Sequence, residues 1–209
     1  MSQSLKIAII GDYNFTYNSH HATNLAIDHS AQFLDIDVNY YWVKLSEVVG
    51  FRPQQFQQYD GIWIAPGPIQ NQFFLHGIMK EIIGKNIPTL ITGDGYKTLL
   101  DVLISTYQLN VRNEKLISDN LVDGEQFEKL IISPHSAAFR KLYENYSNVE
   151  LTATRYSLYP QLIHQLQDNI ADVEAYNQFE DPEIISLKNK KFFYLINEIG
   201  YTLFLNKHV

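Results

Sequence analysis

The sequence has 209 residues, a net charge of −7 from 16 Lys+Arg against 23 Asp+Glu, and no cysteine. One domain over 1–209 is the expected organisation, and 14 Tyr, 12 Phe and 2 Trp within 45% hydrophobic residues supply too large a core for a disordered chain. The negative charge argues against nucleic-acid or anionic-membrane surfaces, which need clustered Lys and Arg, and the missing thiols exclude disulfides, thiolate metal sites and thiol nucleophiles.

Lys6 to Ile10 is a short apolar run stopped by Gly11-Asp12, the pattern of a buried strand ending at a turn. The stretch from Met1 to Lys6 has no signal-peptide core, and no apolar run approaches the ~18 residues of a membrane span, so a cytoplasmic protein is expected. Ala22, Leu25, Ala26 and Phe33 form a helical stripe over Ser19 to Phe33, and Val38 to Val43 reads as the second strand. Gly61 to Ala65 is a third strand closed by Pro66-Gly67-Pro68, followed by a helix from Phe73 to Ile83 that stops at Gly84. Pro88 to Thr92 is the fourth strand; it breaks at Gly93-Asp94-Gly95, and a helix runs from Tyr96 to Tyr107. This alternation predicts an α/β fold with a parallel sheet covered on both faces, and ligands at the carboxyl ends of its strands. Further along, short strands are expected at Leu130 to Ile132, Glu150 to Thr154, Ala171 to Tyr176, Ile184 to Leu187 and Phe192 to Ile196, with a helix near Ser136 to Tyr146.

Several pieces of the chain occur in a specific order. Ile10-Gly11-Asp12-Tyr13 precedes His20-x-Ala22-x-x-Leu25-Ala26, then Tyr59-Asp60-Gly61-Ile62-Trp63 leads to Pro66-Gly67, and Ile87-Pro88-x-Leu90-x-Thr92-x-x-Gly95 follows. With Leu130 to Pro134, Arg155-Tyr156, Tyr159-Pro160 and Phe192-Phe193, this series resembles the class I glutamine amidotransferase domain, in particular stand-alone proteins related to the glutaminase half of CTP synthase. The resemblance covers almost the whole chain. It implies a flavodoxin-like parallel sheet with helices on both faces and short extra strands toward the C-terminus. It also implies a Cys-His-Glu triad that hydrolyses glutamine and delivers ammonia to a synthase, the cysteine standing at a sharp strand-to-helix elbow where backbone N–H groups hold the oxyanion.

In this sequence the nucleophile position falls on Gly93, and the His-x-Glu positions fall on Ile199 and Tyr201, with Gly200 between. The absence of cysteine means that no shift of alignment restores the nucleophile, and the only histidine after 164 is His208. Nucleophile elbows hold a strained backbone, which glycine relieves, so the elbow is expected to relax into an ordinary turn. No glutaminase activity and no cofactor or metal are expected. A literal CTP synthase is also not expected, since 209 residues spent on this fold leave no room for an ATP-binding ligase domain.

What the strand-end cleft does instead stays open. The candidate ligand-binding residues are Asp12, Tyr13, His20, Pro66, Gly67, Tyr96, Arg155 and Tyr156. His20 either contacts a ligand or makes structural hydrogen bonds. Asp94 either caps the following helix or, with His20, serves altered chemistry in the same cleft. Arg155 either anchors an anionic group or forms a structural ion pair. Gly93 to Thr98 lacks the glycine before lysine of a phosphate loop. The partner is a small molecule or a protein, including a separate synthase that this chain would serve as a non-catalytic subunit, and a homodimer is compatible with such folds.

Overall fold

The computed structural model describes residues 4–85, 87–110, 112–120, 128–144, 149–152, 155–190 and 193–196. The first half alternates as expected: β1 (Leu5–Ile10), α1 (Asn18–Leu34), β2 (Val38–Val43), the single turns α2 (Leu45–Val48) and α3 (Pro53–Phe56), β3 (Gly61–Ile64), α4 (Gln72–Ile83), β4 (Thr89–Thr92) and α5 (Asp94–Tyr107). The second half is more broken: β5 (Ile117–Asn120), β6 (Glu128–Ile131), β7 (Ser133–Pro134), α6 (Ala137–Tyr143), β8 (Val149–Thr152), β9 (Arg155–Leu158), α7 (Pro160–Asn169), β10 (Ala171–Tyr176), β11 (Pro182–Leu187) and β12 (Phe193–Ile196).

One eight-stranded sheet in the order β2-β1-β3-β4-β12-β11-β10-β7 organises these elements. Strands β2 to β12 in that order pair in parallel, and β11, β10 and β7 extend the same sheet antiparallel. The parallel sheet expected from the strand–helix alternation is therefore a mixed sheet on its C-terminal side. A hairpin joins β10 to β11 through 177–181, whereas parallel neighbours need crossovers. Two small antiparallel pairs, β5 with β9 and β6 with β8, stand outside it.

Successive residues of a strand point to opposite faces, so each strand serves two layers. Ala8, Ile10, Ile62 and Ile64 join the core formed with Leu75, Ile78 and Met79 of α4 and Leu99, Leu100 and Leu103 of α5. On the other face Ile9 and Ala65 pack with Ile27 of α1, flanked by Trp42 and Trp63. A third cluster joins Leu130, Ile132 and Tyr143 to Ala175 and Ile184. Helix α5 begins at Asp94, two residues before the expected Tyr96, and α7 is a helix that the sequence reading missed. Pro160 at its first turn fixes a helical φ, and Leu162 and Leu166, four apart, are its buried contacts. Among the described residues no helix is long and apolar enough to cross a membrane.

Candidate functional site

The carboxyl ends of β1, β3 and β4 meet at the turn after β4. Gly93 has φ 57 and ψ −126, and α5 starts at the next residue. The elbow has therefore not become an ordinary turn: its positive-φ backbone persists. The loop after β3 also packs closely against it, and a Cβ at position 93 would run into the carbonyl group of Pro66. Both the conformation and the missing space exclude any other residue without rearrangement.

The loop after β3 covers this elbow. The Asp94 backbone N–H donates to the Pro66 carbonyl at 2.9 Å. The Asp94 carboxylate accepts from the Ile69 N–H at 3.3 Å through Oδ2 and from the Tyr156 hydroxyl at 3.2 Å through Oδ1. Asp94 thus ties the start of α5 to the loop after β3 and to β9, while its charge also sits favourably at a helix N-terminus. Gly67, with φ 106 and a cis peptide bond to Pro68, lies so close to this carboxylate that a Cβ there would collide with its Oδ2 and Cγ.

His20 holds the same loop from the other side. Its side chain is buried, 1% exposed. Nδ1 faces the backbone N of Asn14 at 2.9 Å, and Nε2 faces the Gly67 carbonyl at 3.1 Å. An amide N–H only donates and a carbonyl only accepts, so the neutral ring carries its proton on Nε2. Burial lowers the His20 pKa below its ordinary value and His21 adds to this, while the Gly67 carbonyl and Asp12 oppose it. Both ring nitrogens are engaged with backbone groups. Around it, Tyr13 stacks at 5.8 Å, Tyr17 meets it edge-on at 5.3 Å and Trp42 leans in at 4.8 Å. Tyr13 remains 42% exposed and Asp12 half-buried just after β1.

Tyr96 does not belong to a ligand surface. It is fully buried and donates its hydroxyl to the Pro182 carbonyl at 3.0 Å, and burial pushes its pKa well above the usual tyrosine value. The turn made it look available, but the helical phase of α5 places it on the same face as Leu99, Leu100 and Leu103. Tyr156 is brought to Asp94, with the Lys97 ammonium 5.9 Å from its ring centre. Arg155 opens β9 opposite Asn120. Ile199, Gly200 and Tyr201 lie outside the described residues.

The sequence reading missed a polar group beside the elbow. Ser157 donates to Asp181 at 2.9 Å, and Asn177 donates to the buried Glu183 carboxylate at 2.6 Å. Asn177 also accepts from the Phe179 and Asp181 N–H groups, and this is the one signal that was legible, an Asn opening a tight loop. Among the described residues no group of three or more His, Asp or Glu is placed to hold a metal ion.

No family model matches the sequence, and no curated protein matches it. Among solved structures, the chain is similar to the glutaminase domain of Trypanosoma brucei CTPS with bound acivicin, at a TM-score of 0.73 and 15% identity over 94% of this chain and 86% of that one. The chain has a class I glutamine amidotransferase-like fold. A ThuA-like protein from Bacteroides uniformis shares the fold more distantly, at a TM-score of 0.54 and 8% identity over 92% and 80% of the two chains. At these identities the amidotransferase-like likeness speaks for architecture, and function rests on the residues of the site.

Proposed function

We propose that this amidotransferase-like chain has no glutaminase activity and that its strand-end cleft binds a small molecule or a protein partner. The observation that carries this reading is the contact between the elbow and the loop over it. Acyl transfer at such an elbow needs a nucleophilic side chain and a free backbone N–H beyond it to hold the oxyanion. Here position 93 is glycine, the Pro66 carbonyl fills the space of its missing side chain, and the N–H of Asp94 already donates to that carbonyl. Altered chemistry through Asp94 or His20 has less support, because both Asp94 oxygens and both His20 nitrogens already have hydrogen-bond partners in the surrounding loops and β9.

Two measurements test the reading. Glutamate and ammonia release from glutamine, with and without nucleotides, is expected at the level of a protein-free blank; turnover above it sinks the claim of inactivity. Native mass spectrometry of protein purified gently from its own cells is expected to retain a small-molecule mass or a stoichiometric foreign chain. A foreign synthase subunit would identify this protein as its non-catalytic companion. A bare chain under conditions that preserve a known weak complex would count against binding.

A further inference from the structure

We propose that His20 is an acid-sensitive latch joining the two loops that frame the strand-end cleft, and that protonation of its ring releases them. The proposal concerns regulation of the cleft, so its biological consequence rests on the binding reading above; the loop release itself does not. One neutral imidazole holds both segments: Nδ1 accepts from Asn14 in the loop after β1, and Nε2 donates to Gly67 in the loop after β3. Among the described residues no second side chain is seen bonding both Asn14 and Gly67. Ser19 also reaches the Gly67 carbonyl, at 3.4 Å, but makes no bond to Asn14.

Adding a proton to Nδ1 places two donors head to head, since the Asn14 amide cannot become an acceptor. The resulting cation is also 1% exposed, with its ring enclosed by Tyr13, Tyr17 and Trp42. A buried charge without a bonded counter-ion is costly, so the imidazolium must turn toward water and surrender the Gly67 bond as well. The charged and titratable groups around it set the balance. His21 on the same helix opposes a second positive charge, whereas Asp12 on the β1 loop favours it. Tyr13 and Tyr17 contribute rings from that loop and the start of α1, Trp42 of β2 does not titrate, and the loop after β3 presents the Gly67 carbonyl with Asp94 beyond it. The latch is therefore closed at neutral pH and opens in acid, below the ordinary histidine midpoint.

Amide hydrogen exchange on the ligand-free protein, corrected for the intrinsic pH dependence of exchange, reads the loops directly. Protection of the Asn14, Gly67 and Ile69 amides is expected to fall at least tenfold between pH 7.5 and 5.0, while α5 stays protected. In His20→Gln, whose amide can accept from Asn14 and donate to Gly67 without titrating, the fall is expected to vanish; in His21→Gln it is expected to remain. An equal fall in His20→Gln, or constant protection in the unmodified protein down to pH 4.5, overturns the proposal. Should His20→Gln not fold, nitrogen NMR of the unmodified protein decides: the His20 ring must titrate from the Nε2–H tautomer in step with the Asn14 amide, and independent titration refutes the latch. Because no ligand enters these measurements, failure of the latch and failure of cleft binding are separate results.

Discussion

Replacing Gly93 with cysteine would put the nucleophile type of the resembled family at its position, yet the surroundings forbid its use. The new Cβ would meet the Pro66 carbonyl at a residue with φ 57, and a non-glycine residue held in such a conformation costs about 1–3 kcal/mol before the collision is counted. Gly93→Cys is therefore expected to be destabilised by at least about 2 kcal/mol in urea unfolding and to release no glutamate from glutamine. His20 gives a second residue-scale expectation. Its folded pKa lies below 6.5, so the unfolded chain binds more protons as pH falls. Stability from this group is complete above about 6.5 and declines on acidification until the folded pKa is passed, with a slope of at most about 1.4 kcal/mol per pH unit. That increment of slope should disappear in His20→Gln, as measured by urea titrations from pH 7.5 to 5. At this scale the elbow glycine was legible in the sequence, because chain order alone places it after an apolar strand. The role of His20 was not, because its two partners are backbone groups, and backbone groups leave no mark on residue identity.

At the scale of elements, the apolar runs of β1, β3 and β4 were readable because both faces of a central parallel strand are buried. Helix α7 was not. Its ten residues include three glutamines or asparagines beyond the first turn, and only Leu162 and Leu166 are fully buried, with Ile163 partly buried beside them, so its apolar stripe is narrow. The Pro160 signal was present and outweighed by the polar composition. Helix α4 shows what local chemistry contributes independently of burial: the Asn71 side chain accepts from the Phe74 N–H at 3.0 Å and satisfies one of the free donors at the helix start. Asn71→Ala is expected to cost about 1 kcal/mol. Leu99→Ala in α5, at a position with no solvent exposure between two packed layers, is expected to cost about 2–5 kcal/mol. Urea midpoints of the two variants should rank in that order.

At the scale of the whole molecule, the main core runs from Ala8 in β1 to Leu187 in β11. Described residues of both halves of the chain therefore share one core. Thermal unfolding followed by backbone circular dichroism and by tryptophan fluorescence should give coincident transitions; separated midpoints would reveal two units. The parallel pairing of the first half was inferable from alternation, but the antiparallel arrangement of β12, β11, β10 and β7 depends on pairings that no local pattern encodes. One of those pairings governs the order of events during synthesis. β12 sits between β4 and β11, and its register with β4 runs from Phe193↔Thr89 to Ile196↔Thr92. A ribosome making roughly 5–20 residues per second needs on the order of 5–20 s to travel from β4 to β12. Throughout that interval the growing chain carries β4 as an open sheet edge, a target for chaperones and for mispairing with neighbouring nascent chains.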